Sequence, residues 1–276
     1  MDRRLFPFSG RVAHSSLHGQ VEAEVFSDGE AAMVTASLAN ILVRPGGPRD
    51  RQLIFGDALT VLDEVEGHVF VQSTKDGYCG WLAKDVVGPF QSATHWVAAL
   101  ASHVYSDPKV QAPEGLHLPM GAKVRITGQS GRFSETAFGF VPTVHLRPLN
   151  DRPTDPVCVA TMFLGAPYLW GGNSHTGIDC SGLVQTALLA CGQVCPGDSD
   201  LQQSLGWDLP HEVSLARGDL LFWKGHVAIV VDDTTLIHAN GYSMSVAYED
   251  IEACISRIET QNGGPVTARR RLAIPS

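Results

Sequence analysis

The upstream half of the chain repeats one pattern of short apolar runs broken by glycine, proline and aspartate turns, which restricts it to small all-β units. The first copy runs Ile41-Leu42-Val43-Arg44-Pro45-Gly46-Gly47, then Gln52-Leu53-Ile54-Phe55-Gly56-Asp57, and continues through 59–62, 69–72 and 76–82. The second begins Ser102-His103-Val104-Tyr105-Ser106-Asp107-Pro108 and continues through 116–121, 124–127, 132–135 and 138–141. Each copy reads as strands of about five residues with turn signals between them, as in a small closed barrel. Segment 1–34, with a hairpin-like run at 21–25 before Asp28-Gly29, is expected to pack onto the first barrel.

The pattern changes near residue 150. Pro148, Pro153 and Pro156, with Asn150 and Asp151 among them, mark a linker. Beyond it Val157, Ala160, Phe163 and Leu164 recur at helical spacing. A second helix is N-capped by Asp179, carries its apolar stripe on Leu183, Val184, Ala187, Leu188 and Cys191, and stops at Gly192. Strands are expected at 219–223, 226–231 and 235–239. Helices first and antiparallel strands after is an α+β order. The expected domains are therefore 1–34, 35–90, 91–149 and 150–276, the last being the α+β unit.

Composition narrows the function. At 276 residues with a net charge of -9, the chain has no basic stripe for nucleic acid; its one basic run, Arg269-Arg270-Arg271, is expected to be a solvated tail. No run approaches the ~20 apolar residues of a membrane span. The opening residues lack the apolar core of a signal peptide, so a cytoplasmic, non-membrane protein is expected. Six cysteines are too sparse for a disulfide scaffold and lack zinc-site spacing, so no metal and no cofactor are implied.

One of the six sits where reactivity is expected. Cys180 opens the second helix, where the macrodipole and unpaired amides favour a thiolate and can hold an oxyanion. The small neighbours Ser181 and Gly182 would let a substrate backbone approach. The other cysteines read for the most part as buried small hydrophobes. A thiolate needs a base, and the base an orienter. His226 opens one predicted strand and His238 lies near the end of the next, so a hairpin would bring the imidazoles together, facing the helix that carries Cys180.

The ordered series Tyr168-Leu169-Trp170-Gly171-Gly172, Asp179-Cys180-Ser181-Gly182-Leu183, Arg217-Gly218-Asp219-Leu220-Leu221-Phe222, His226-Val227-Ala228-Ile229 and Ile237-His238-Ala239 resembles the NlpC family of papain-like cysteine peptidases. The upstream copies resemble bacterial SH3-like barrels, which a branch of that family carries. The resemblance implies a papain-like domain, a helix bundle packed on an antiparallel sheet, preceded by two such barrels. It implies hydrolysis of γ-D-glutamyl–diamino-acid bonds in cell-wall peptides, with Cys180 as nucleophile, His226 as base and His238 as its orienter. The Tyr168 hydroxyl would join the Cys180 amide in the oxyanion hole. Asp179, Ser181 and Ser199 would bind a free N-terminal amine, Trp170 would form an aromatic wall, and Tyr78 of the first barrel would close the pocket. Gly197 stands where the family commonly has arginine.

The implied substrate is L-Ala-γ-D-Glu joined to a diamino acid, met in the recycling of wall peptides by a monomer. Two other readings stay open. One is a non-catalytic wall-peptide binding module; the other is an amidase or acyltransferase with the same thioester chemistry.

Overall fold

A computed structural model describes residues 2–272; residue 1 and residues 273–276, the outer ends of the first and last predicted segments, lie outside the described residues. The chain divides into two compact units, Met1–Asp151 and Arg152–Ser276, with the division inside the proline-rich linker.

The first unit is built of strands. One sheet has the order Arg49–Ile54, Leu38–Leu42, Cys79–Ala83, His68–Ser73, Ala58–Val65, Glu30–Val34 and Val87–Pro89. Glu30–Val34, expected in the N-terminal segment, is thus a strand of the first barrel, because Ala32 and Val34 fill its core beside Ile41, Val71 and Leu82. The expected hairpin at 21–25 does not form either: Val25–Ser27 pairs in parallel with Val12–His14. The second barrel combines a five-stranded sheet, with Ala101–Tyr105 between Glu114–Pro119 and Gly139–Pro142, and a three-stranded sheet centred on His95–Val97.

Two features make the barrels one unit. Met33 and Phe55 of the first barrel join Val97, Val104, Leu118 and Val141 in the core of the second. Asp57, almost fully buried, accepts from Lys75 Nζ at 2.6 Å and lies 3.7 Å from Lys123 Nζ. Burial alone would push its carboxyl up, but the two ammonium groups hold it below the usual carboxylate range.

The second unit carries four helices among the described residues: α1 (Pro156–Thr161), α2 (Cys180–Ala190), α3 (Ser199–Gln202) and α4 (Ile251–Thr260). Its antiparallel sheet has the order Trp207–Asp208, Ala268–Arg271, Leu220–Trp223, His226–Val230, Thr235–Asn240 and Ser245–Asp250. Sequence periodicity runs α1 to Leu164, but the helix ends at Thr161 and single turns follow. Here α4 appears as an element the apolar pattern did not announce. Asp250 caps it by accepting from Ala253 N at 2.9 Å, and Ile251 and Cys254 bury against Leu221, Trp223, Ala228, Val230 and Leu236.

The basic run is not a free tail. Ala268–Arg271 pairs with Leu220–Trp223, and Arg271 grips the buried Asp219 through Nε at 2.8 Å and Nη2 at 2.7 Å. A buried carboxylate needs a cation beside it, and this strand supplies one. No helix among the described residues is long and apolar enough to cross a membrane.

Candidate active site

The start of α2 is fixed by one carboxylate. Asp179 Oδ1 accepts from Gly182 N at 2.7 Å and from Ser181 Oγ at 3.1 Å, while Oδ2 accepts from Gly171 N at 2.8 Å. This side chain caps the helix and also pins the Gly171-Gly172 turn to it. The close approach explains Gly182: a Cβ there would lie 2.5 Å from the Gly172 carbonyl oxygen and 3.0 Å from Asp179 Oδ1. Packing inside the protein therefore requires a glycine at this position. The segment before the turn runs alongside too, with Leu169 N donating to Ile178 O at 3.1 Å and Ile178 N to Pro167 O at 3.0 Å, which sets Tyr168 beside the residues leading to Cys180.

Cys180 occupies the first position of α2 and is buried. Its Sγ lies 4.0 Å from the carbonyl oxygen of Gly225, in the turn just before His226. The expectation of a lowered thiol pKa does not hold in this site. Burial first, and the Asp179 carboxylate second, push the Cys180 thiol up to about 12, against the amides of Val227, Ser181 and Cys180 that favour the thiolate. The helix start supplies donors, but a capping anion one residue away and the loss of water outweigh them.

The hairpin forms as the strand spacing requires. Ile229 pairs with Ile237 and Val230 with Leu236; the same register sets His226 across from Asn240, diagonal to His238. His226 Nε2 and His238 Nδ1 are 2.9 Å apart. The pair does not simply face α2, as was expected. Alternation along the strands puts His226 with Ala228 and Val230, and His238 with Leu236, on the side that packs α4. Cys180 Sγ contacts the Gly225 turn, which leads directly into His226.

Behind His238 stands a group the sequence analysis did not single out. Its Nε2 lies 3.1 Å from Glu249 Oε2, off the line of a well-formed hydrogen bond. Arg257 of α4 holds that carboxylate at both oxygens, Nε to Oε1 at 2.7 Å and Nη2 to Oε2 at 2.7 Å. The signal was the alternation in Ser245–Asp250: Ala247 pairs with His238, so Glu249 is the diagonal neighbour on that face. Burial depresses His226 to about 3, helped by His238 and Arg257 and opposed by Glu249. Burial likewise takes His238 to about 4, with Glu249 pulling it up and Arg257 down. Both rings are neutral at neutral pH.

The remaining predicted residues divide between the units. Tyr168 is half-buried; burial, then the neighbouring Cys180 and Asp179 charges, raises its phenol above the ordinary value, so it stays a donor. Ser199 is buried at the start of α3, and Gln202 of that helix donates to Ser181 O at 2.9 Å, seating α3 against the first turn of α2. Trp170 stands 68% exposed. Tyr78 belongs to the first unit, 1% exposed in the core of the first barrel with Arg51 over its ring at 5.4 Å. Cys158, read as a buried small hydrophobe, is exposed instead and contacts Asp155 and Arg217.

One group of metal-ligating type stands out among the described residues: His238, Glu249 and Cys254, whose ligand atoms lie within 4.8 Å of one another. The guanidinium of Arg257 already occupies the cationic place there, bonded to Glu249 and 3.7 Å from Cys254 Sγ. Beside His226 opens a cavity of about 290 Å³, lined by Trp223, Lys224, Asn240, Tyr242 and Arg257 among others. The arrangement thus offers a buried thiol at a helix start, a neutral imidazole pair, a phenol donor and a cavity next to His226.

Comparison with known proteins places the fold and the family. The NlpC/P60 family model matches residues 165–260, and the model of the bacterial dipeptidyl-peptidase Sh3 domain matches residues 41–86. The chain is 27% identical over 240 residues to dipeptidyl-peptidase 6 of Lysinibacillus sphaericus, covering 76% of this chain and 87% of that protein. It is 30% identical over 216 residues to the gamma-D-glutamyl-L-lysine dipeptidyl-peptidase of Bacillus subtilis (strain 168), covering 68% of this chain and 71% of that one. The fold matches a crystal structure of an NlpC/P60 family protein from Bacillus cereus with a TM-score of 0.76 at 22% identity, over 89% of this chain and 100% of the other.

Proposed function

Because the chain belongs to the NlpC/P60 family of cysteine peptidases, we propose that it hydrolyses the γ-D-glutamyl–diamino-acid bond of cell-wall peptides bearing a free N-terminal L-Ala, releasing L-Ala-D-Glu. The observation that carries this reading is the 2.9 Å contact of His226 Nε2 with His238 Nδ1 at the strand end where Cys180 Sγ meets the Gly225 turn. With Nε2 engaged, Nδ1 of His226 is the nitrogen left for the thiol.

The neutral thiol and neutral imidazole define the first step. His226 takes the Cys180 proton as sulfur attacks the γ-carbonyl carbon, so the thiolate forms only as the C–S bond forms. Negative charge moves to the carbonyl oxygen, where the Tyr168 hydroxyl and the Cys180 amide donate to it. Collapse breaks the C–N bond, and the imidazolium of His226 returns its proton to the leaving amine of the diamino acid. A general acid must lie against the leaving group, and the 290 Å³ cavity is next to His226, so the diamino acid is assigned there. Water, deprotonated by His226, then hydrolyses the thioester, restoring the thiol and freeing the dipeptide.

Asp179, Ser181 and Ser199 form the proposed amine pocket, and the exposed Trp170 its rim. The Asp179 carboxylate holds the helix start, and an ammonium group would gain a charge-assisted hydrogen bond from it. A requirement for a free amine supports a role in recovering released wall peptides inside the cytoplasm, because stem peptides in the intact wall have that amine acylated.

The test compares L-Ala-γ-D-Glu-diaminopimelate with its N-acetyl form. The amine pocket predicts a loss of at least about tenfold in kcat/KM on acetylation. Equal rates for the two substrates would remove the pocket from the account.

A further inference from the structure

The line of close polar contacts that starts at His226 continues past the two histidines. His238 is 1% exposed, with Nδ1 2.9 Å from His226 Nε2 and Nε2 3.1 Å from Glu249 Oε2. The groups facing it are His226 from its hairpin partner, Glu249 from the Ser245–Asp250 strand, and Cys254 and Arg257 from α4. Arg257 fixes Glu249 at both oxygens, and Tyr242 stacks on the guanidinium at 4.6 Å, so the carboxylate has little freedom to turn away.

A neutral imidazole carries one proton, and the ring itself barely decides which nitrogen has it. Here the surroundings decide. A bare Nε2 lone pair 3.1 Å from an anionic oxygen is repulsive, whereas an Nε2–H is attracted. His238 is then an acceptor at Nδ1, so His226 donates from Nε2 and keeps its lone pair on Nδ1. Only this combination gives the thiol an acceptor on the free side of His226. The opposite one, with His238 protonated on Nδ1, forces His226 to accept at Nε2 and places its proton toward the thiol.

We infer that Glu249, clamped by Arg257, is a positioning residue that sets the tautomers of both histidines and so makes His226 a base. The inference rests on the reading of His226 as the base, but its first readout does not need turnover.

The experiment compares the wild type with the double variant Glu249→Met/Arg257→Met, which removes both charges together and leaves no unpaired guanidinium. Ring ¹⁵N spectra at pH 7 report the protonated nitrogen of each histidine; kcat and KM are measured on L-Ala-γ-D-Glu-diaminopimelate, and thermal unfolding checks the fold. The wild type is expected to show Nε2–H on both rings. The variant is expected to show mixed tautomers and a kcat lower by about tenfold or more, with KM within about twofold. The single variant Arg257→Met, which keeps the carboxylate, retains the wild-type tautomers. Three results overturn the inference: His238 protonated on Nδ1 in the wild type, Nε2–H retained in the double variant, or an unchanged kcat once the tautomers mix. A wild type without turnover would sink the proposed function, while the ring spectra would still decide the role of Glu249.

Discussion

At Cys180 two consequences of position oppose each other. The helix start offers amide donors to a thiolate, and the sequence made that part legible. The capping Asp179 was legible as well, but not the burial of the sulfur, which depends on tertiary closure and sets the Gly225 carbonyl 4.0 Å from it. The result is a thiol near 12 and a histidine near 3, a pair that is neutral in the resting enzyme. The pH dependence follows with a definite sign. The proposed base, His226, is lost only when protonated, and its depressed value moves that event far below the ordinary imidazole range near 6.5. We expect kcat/KM to vary less than about twofold between pH 5 and 7, with the acid limb lying lower still. A half-maximal point near pH 6.5, in a protein still folded by circular dichroism, would contradict the resting state described.

At the scale of elements, the hairpin and α2 were readable because each is a local rule: alternation for strands, and a cap followed by an apolar stripe for the helix. What escaped depends on partners distant in sequence. The α4 helix has a short buried face, and Glu249 gains its meaning only from the register that sets it diagonal to His238. The Arg269-Arg271 run looked like a tail because its partners, Asp208 and Asp219, lie more than fifty residues upstream. Tyr78 shows the same limit, since an aromatic in a turn-strand motif suits a pocket or a core, and it stands in the barrel core. The barrels provide their own test. Asp57 is 2% exposed and Lys75 7%, so Lys75→Met would leave a buried carboxylate with the Ile54 amide and, as its cation, only the more distant Lys123. The expected loss is about 3 kcal/mol of stability, read from urea unfolding of the intact chain. A loss under about 1 kcal/mol would mean the pair behaves as an exposed one.

For the whole molecule, the chain has a β-rich first unit and an α+β second unit, divided inside the proline-rich stretch where the sequence pattern changes. The predicted catalytic residues Cys180, His226, His238 and Tyr168 all fall in the second unit, as do Asp179, Ser181 and Ser199. The chemistry assigned to this protein therefore stands or falls on one sulfur atom at the start of α2. Its most direct test is mass-spectrometric assay of L-Ala-γ-D-Glu-diaminopimelate with the wild type and Cys180→Ala side by side, both shown to be folded. The account predicts L-Ala-D-Glu and free diaminopimelate from the wild type, and no release above the uncatalysed rate from the variant. Release by Cys180→Ala at a comparable rate, or none from the folded wild type, would contradict it.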